Sequence, residues 1–536
     1  MNEFGTLNWS ILAIYIVGNL LLGYVLGKKI SSTKDFFLGD KSIPWWAIGI
    51  SVISTYVSAL TFLGGPAWAY TDGLSVIAIH LNYPLVIFFV VTFFLPFFFN
   101  SGVASIYEYQ EKRFGPTSRN VISGLFLISQ GMTSAAVLYA TSLVLEFITG
   151  LSVEYCIVIV TVVALIYTMM GGIAAVIWTD VIQAGILFVG AFVILYALVS
   201  EMPMSLGETM SNLKAAGKTD ALDFGIDFTK VTTIWSGVIA MTLFHVTVYG
   251  ANQMMVQRTL AAKNIGDAKK SFLLMGFFAF FIYFLFILLG ILFFAYYGGR
   301  EFENGNTIIL EFANNYGMPG LMGIIAAAVL AASMSSLDSA FNSMATVSTI
   351  DFYQRYFRKN ESDLHYLKAS RGFTVFWAAL VVIPALMFAG SEGSILETLS
   401  KVGSYFVGAK LSMFGLGFFS KQTTEKGLLV GVAVGFVMVW YVATQTDIAW
   451  PWFCAIGAGV NIVVAMLASR ILDGKQETYS VYTVQGQKDE FARLGKAEKE
   501  NGWYLVPGKV DSVSWYLLLF FAATVIFLYG FNALIT

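Results

Sequence analysis

Apolar runs of about twenty residues recur along the whole chain, and one such run is what a helix needs to cross a bilayer core. Reading the sequence this way gives roughly fourteen spans. They lie near 9–27, 44–71, 77–99, 120–147, 153–170, 174–200, 233–256, 271–298, 319–349, 369–390, 394–419, 427–446, 450–470 and 513–534. Only 12% of the 536 residues are charged, against about 25% in soluble domains. The apolar content, 57%, is too high for a disordered chain. A net charge of −2 excludes a basic nucleic-acid binder. Cys156 and Cys454 both sit in apolar runs, so no disulfide framework or cysteine metal site is expected. The first span starts at Trp9 without a charged segment before it or an A-x-A-like site after it, and reads as a retained helix.

Basic residues set the orientation of such a bundle. With the N-terminus outside and the spans alternating, 25 of the 31 Lys and Arg residues fall in inside loops. Lys214, Lys218, Lys230 and Arg300 fall outside, and Lys401 and Lys410 lie in or at the edge of a span. Both termini are therefore expected to be extracytoplasmic, in the plasma membrane (the inner membrane of a bacterium). The long loop 471–512 carries no nucleotide or metal motif and reads as a surface loop tying the last helix to the bundle.

Polar groups at membrane depth are costly and usually face a cavity. The second span, Ile50 to Pro66, is packed with Ser and Thr and ends in Gly64, Gly65 and Pro66. That composition suits a helix unwound within the membrane, which is tolerated where it lines a cavity; a small-residue packing face is the competing explanation. The seventh span has His245 at its centre and ends in Gly250, Ala251, Asn252 and Gln253, a second candidate break. Two breaks five spans apart point to an inverted-repeat transporter.

The ninth span holds the densest polar cluster, from Ala331 to Ser343. Ala332, Ser335, Ser336 and Ser339 share one helical face. Hydroxyls and carbonyls suit a hard cation, and the lack of His and Cys argues against zinc or copper. A plain Ser-rich packing face would leave Asp338 unexplained.

These residues carry a resemblance. The chain resembles the sodium/solute symporter family, over roughly residues 9–470. The motifs are Asp35-Phe36-Phe37-Leu38-Gly39 with Ile43-Pro44-Trp45-Trp46, Tyr107 to Phe114, Gly171-Gly172 through Val176 to Gln183, Gln257-Arg258, and the run from Ser335 to Ser343. The resemblance implies an all-α polytopic protein of the LeuT-type 5+5 inverted repeat, with one extra N-terminal and three extra C-terminal helices. The expected division is 1–43 (first helix and loop), 44–200 (first repeat), 201–232 (extracytoplasmic loop), 233–420 (second repeat) and 421–536 (terminal helices with loop 471–512).

The resemblance further implies a sodium site built from the carbonyls of Ser54, Val57 and Ala332 and the hydroxyls of Ser335 and Ser336. Some relatives bind a second sodium, and the matching positions here are Asp180, Ser335, Asp338 and Ser339. Asp338 stands where such relatives can carry Ser, so a second sodium or a proton is open. Asp180 has a competing role as an acid at a helix start. Ser58 and Thr61 match substrate-facing positions. His80 and His245 occupy two more, and Met132 replaces the sialate transporters' carboxylate-binding Arg. Lys410 lies deep in the eleventh span and needs a partner: a substrate carboxylate, Glu397 or Asp338, unless it snorkels. Tyr249 and Asn252 flank the second break as further candidates.

The expected function is sodium-coupled import of a small organic solute: a sugar, an acidic sugar or a monocarboxylate. Proton coupling and a transport-like sensor or channel are the alternatives. No His-Glu-x-x-His, Gly-x-Ser-x-Gly or P-loop motif supports an enzyme. The expected partners are the solute, the sodium ion and the lipid bilayer, with no nucleic acid and no obligate protein partner.

Overall fold

The computed structural model of the chain describes residues 4–27, 41–101, 103, 105–170, 172–316, 318–389, 393–474 and 480–534. The Asp35–Gly39 motif and Lys28, Lys29 and Lys34 lie outside the described residues. The fold is helical almost throughout. Among the described residues, eleven helices are long and apolar enough to cross a membrane, and Val153–Ile166 and Ser236–Gly250 are shorter apolar helices.

The chain begins with α1 (Gly5–Gly27) and α2 (Trp45–Tyr56). Helix α2 stops mid-span. Val57 still donates to the Ile53 carbonyl, but its own φ of −80° and ψ of 86° leave the helix. A wide turn over Leu60–Gly64 then leads into α3 (Gly65–Asp72), with Pro66 in its first turn, where a missing N–H costs nothing. A tight 3-10 turn, Gly73–His80, precedes α4 (Tyr83–Phe89) and α5 (Leu95–Ser101). Next come α6 (Glu108–Arg113), α7 (Pro116–Thr149), α8 (Val153–Met170), α9 (Ile173–Ser200) and α10 (Leu206–Ala215).

The second break follows α11 (Met241–Gly250), which is led in by a wide turn over Ser236–Ala240. Asn252 is extended and caps α12 (Gln253–Leu260), its side chain accepting from the Met254 N–H at 2.9 Å. The rest are α13 (Ile265–Tyr297), α14 (Ile308–Tyr316), α15 (Leu321–Val347), α16 (Asp363–Phe388), α17 (Ile395–Phe419), α18 (Glu425–Gln445), α19 (Pro451–Asp473), α20 (Val484–Arg493) and α21 (Trp515–Leu534). A two-residue antiparallel pair, β1 (Lys499–Glu500) and β2 (Trp503–Tyr504), and a single bridge between Asp223 and Thr233 depart from the expected all-α composition.

Burial separates centre from rim. The apolar window of Leu321–Phe357 is 89% buried, while that of Gly5–Val25 is 17% buried. Helix α15 is thus the core of the bundle, packed against α7 and α9, and α13 runs along α2 and α3. The 3-10 turn crosses the start of the seventh span in close backbone contact. A Cβ on Gly237 would lie 1.9 Å from the Ala78 carbonyl oxygen, so glycine is required there.

Segment 480–511 is tied to the bundle at several points. Tyr109 Oη donates to the Tyr482 carbonyl (2.9 Å), Asn100 Nδ2 to that of Leu505 (2.8 Å), and Gly508 N to that of Thr92 (2.8 Å). The buried Lys269 ammonium holds Asp511 at 2.5 Å and the Tyr504 carbonyl at 2.8 Å.

Candidate functional site

The break in α2 faces the Ser-rich face of α15. Ser335 Oγ donates to the Ser54 carbonyl at 2.7 Å, and Ser336 Oγ to the Thr55 carbonyl at 2.8 Å. Both hydroxyls also lie 3.3 Å from the Ala332 carbonyl. The break explains this contact: carbonyls near a helix end lose their intrahelical donors and need others. Ser54, Ala332, Ser335 and Ser336 therefore form one cluster, with Val57 at the point where the helix opens. The donor set is neutral and all oxygen, which fits a small hard cation. Each hydroxyl keeps oxygen lone pairs free for a cation while its hydrogen is engaged. Ser54 Oγ is buried without a hydrogen-bond partner.

A second cluster lies beside the first, and it is built around a residue that appeared in the sequence only as half of a short motif. Arg258 is fully buried. Its guanidinium donates to Ser51 Oγ (2.8 Å), the Met254 carbonyl (2.7 Å), Asp180 Oδ2 (3.1 Å) and Ser339 Oγ. Asp180 Oδ2 also accepts from Ser51 Oγ at 2.5 Å and Thr55 Oγ1 at 3.4 Å. Asp180 is the eighth residue of α9 rather than part of its first turn, so a helix-start role does not apply. Asp338 takes a different neighbour, Thr168 Oγ1 of α8, at 2.7 Å. Asp180 Oδ1 and Asp338 Oδ2 are both buried without partners. Of the four candidate second-site residues, Asp180 and Ser339 meet on Arg258, Ser335 faces Ser54, and Asp338 faces α8.

Between the two breaks lies a cavity of about 120 Å³. Ser58, Thr61, His80, His245, Asn252 and Lys410 all line it, and Ser336 joins its wall to the cation cluster. Tyr249 does not line it. Its ring packs behind Tyr56 and Tyr83, with centroids at 5.1 Å and 5.9 Å. The amide nitrogen of Asn82 donates to the Gly237 carbonyl at 2.8 Å, which turns the amide oxygen toward His245 Nδ1 at 3.0 Å. Nδ1 therefore carries the hydrogen. His80 stacks on Tyr283, with centroids 3.8 Å apart, and both its ring nitrogens are buried without a partner.

Lys410 does not pair with Glu397 or Asp338. Glu397 is thirteen positions earlier on the same helix, about 20 Å along the axis, and Asp338 is held by Thr168. Lys410 Nζ instead donates to Ser129 Oγ at 2.5 Å. Helix α7 faces the cavity with Ser129, Gln130, Thr133 and Ser134, while Met132 is absent from the wall. The signal for these missed residues was available: two adjacent polar pairs, Ser129-Gln130 and Thr133-Ser134, four positions apart at the middle of the span. Arg258 carried the same kind of signal, a charge next to a break.

The sodium:solute symporter family profile matches residues 36–435. A sodium/sialic acid symporter, NanT of Aliivibrio fischeri, is 30% identical over 504 residues, covering 93% of this chain and 99% of that relative. A sodium/glucose cotransporter of Vibrio parahaemolyticus is 31% identical over 427 residues, covering 75% and 78%. The solved substrate-bound outward-open structure of a Na+-coupled sialic acid symporter superposes with a TM-score of 0.81 at 27% identity, over 89% of this chain and all of that one. With one helix break facing a Ser-rich helix and a cavity between the two breaks, the chain belongs to the sodium:solute symporter family.

Proposed function

We propose that this protein is a sodium-coupled secondary active symporter that imports a small organic solute by alternating access. The observation that carries this is the contact of Ser335 and Ser336 with the carbonyls released by the break in α2. Sodium binds among Ser54, Val57, Ala332, Ser335 and Ser336 and holds the two helices together. The solute binds in the adjoining cavity, whose wall includes Ser336. Rocking of the bundle then opens the site inward. Asp180, Ser335, Asp338 and Ser339 form a second cation or proton position, since the Asp180 and Asp338 carboxylates each keep a buried oxygen without a partner.

The full proposal has about fourteen spans, counting the broken and shorter helices with the eleven long ones. Two five-helix inverted repeats start at the two broken helices. The basic-residue bias places both termini outside the plasma membrane. No chemistry on the solute is part of the cycle. A potential of 100 mV contributes about 2.3 kcal/mol per charge, and a tenfold sodium gradient adds about 1.4 kcal/mol. Together they support accumulation of a neutral solute by several hundred-fold with one sodium.

Uptake into proteoliposomes tests this. A sodium gradient drives uptake of the transported solute, and a proton gradient alone does not. Uptake indifferent to sodium would favour proton coupling or a channel and overturn the proposal.

A further inference from the structure

The cavity between the two breaks has an unbalanced charge. Lys410 is 6% exposed, and among the described residues no Asp or Glu lines the same wall. Its ammonium has three donors, and its hydrogen bond goes to the neutral Ser129 hydroxyl. A buried ammonium without an anion costs several kcal/mol, and at membrane depth such a group marks a substrate path or a pair. Among the described residues the cavity offers no anion to make the pair.

The remaining polar atoms of the wall suit a further polar group on the same ligand. Both nitrogens of His80 are buried without partners, and His245 is locked by Asn82 with its hydrogen on Nδ1, leaving Nε2 unsubstituted. The hydroxyls of Ser58, Thr61 and Thr133 complete a wall rich in donors. A neutral polyol would leave the ammonium uncompensated, and a cation would be repelled by it. At about 120 Å³ the cavity is also small beside drug-sized pockets of roughly 300–1,000 Å³.

We propose that the cavity recognises a small organic carboxylate. Lys410 is the counter-cation for the carboxylate, His80 donates to a second polar atom such as a hydroxyl or keto oxygen, and His245 Nε2 accepts from a hydroxyl. This rests on the symport reading and names its substrate class. Because Ser336 belongs to both the cavity wall and the sodium cluster, carboxylate binding requires sodium to be in place.

The test is thermal stability of the purified full-length protein in sodium or choline chloride. The probes are acetate, propionate, lactate and pyruvate, with lactamide and glucose as uncharged comparators. Sodium alone raises the midpoint. At least one of the four acids raises it further in sodium but not in choline, and the comparators do not. Lys410→Gln keeps the sodium response and weakens the apparent affinity for that acid at least tenfold; Lys410→Arg retains part of it. Three results overturn the inference while leaving sodium binding intact: no acid adds to the sodium effect, lactamide matches lactate, or Lys410→Gln binds the acid as the unmutated protein does. If sodium itself fails to stabilise the unmutated protein, the symport reading falls first, and this inference with it.

Discussion

The hydroxyl of Ser335 donates to the carbonyl oxygen of Ser54 at 2.7 Å, joining the core helix α15 to the end of the broken helix α2 across 281 residues of sequence. One side chain thus closes the gap that the break opens, and it does so with an oxygen that can also bind a cation.

Ser335→Ala removes that oxygen without adding volume. The sodium concentration for half-maximal uptake is expected to rise about tenfold, the equivalent of about 1.4 kcal/mol. A sodium titration of uptake measures it, and an unchanged half-saturation point would remove Ser335 from the ion site.

Arg258 and Asp180 form a fully buried pair at 3.1 Å. Removing one partner strands the other's charge, at a cost of about 3–5 kcal/mol. Asp180→Asn and Arg258→Met are each expected to lower thermal stability strongly. The double variant should regain part of the loss, because no unpaired charge is then left. Stability losses that simply add in the double variant would show that the two residues are not coupled.

Gly237→Ala places a methyl 1.9 Å from the Ala78 carbonyl. The 3-10 turn must then move, and with it the Asn82 bridge to His245. Little folded protein is expected, as judged by a monodisperse peak in detergent. Gly124→Ala in α7, where a Cβ meets nothing within 4 Å, is the matched control. It should be neutral or stabilising, since alanine is the better helix former by about 1 kcal/mol.

Asp511→Ala leaves the buried Lys269 ammonium without its carboxylate. Segment 480–511 is expected to loosen from the bundle, and limited proteolysis should cut it at least several-fold faster. An unchanged cleavage rate would mean that the backbone contacts at Tyr482, Leu505 and Gly508 hold the segment by themselves.

Much of this was legible along the chain. The Ser/Thr-rich stretch before Gly64-Gly65-Pro66 marks a helix that cannot stay regular, and it opens at Val57. The break after Gly250 was legible for the same reason, and so was the single hydroxyl face of Ala332, Ser335 and Ser336. These are local properties, set by composition and by the 3.6-residue period.

Which buried groups meet was not legible. Each helical position turns the side chain by about 100°. Val248 and Asn252 line the cavity while Tyr249 packs away from it, and Thr133 faces the cavity while Met132 does not. One step along the chain changes the partner, and the rotation of each helix is set by its packing against others.

The sequence by itself determined that the chain is a helical membrane protein, where two helices break, and three of its buried charges, Asp180, Asp338 and Lys410 but not Arg258, because each follows from neighbours within one helix. Only the tertiary structure decided how those charges are shared. Arg258 neutralises Asp180, Asp338 is held by Thr168, and Lys410 is left facing a cavity with no carboxylate among the described residues. The physical reason is distance. Burial makes an unpaired charge costly wherever it sits, but only helix packing brings two charges 78 residues apart to within 3.1 Å, and turns a third toward the cavity.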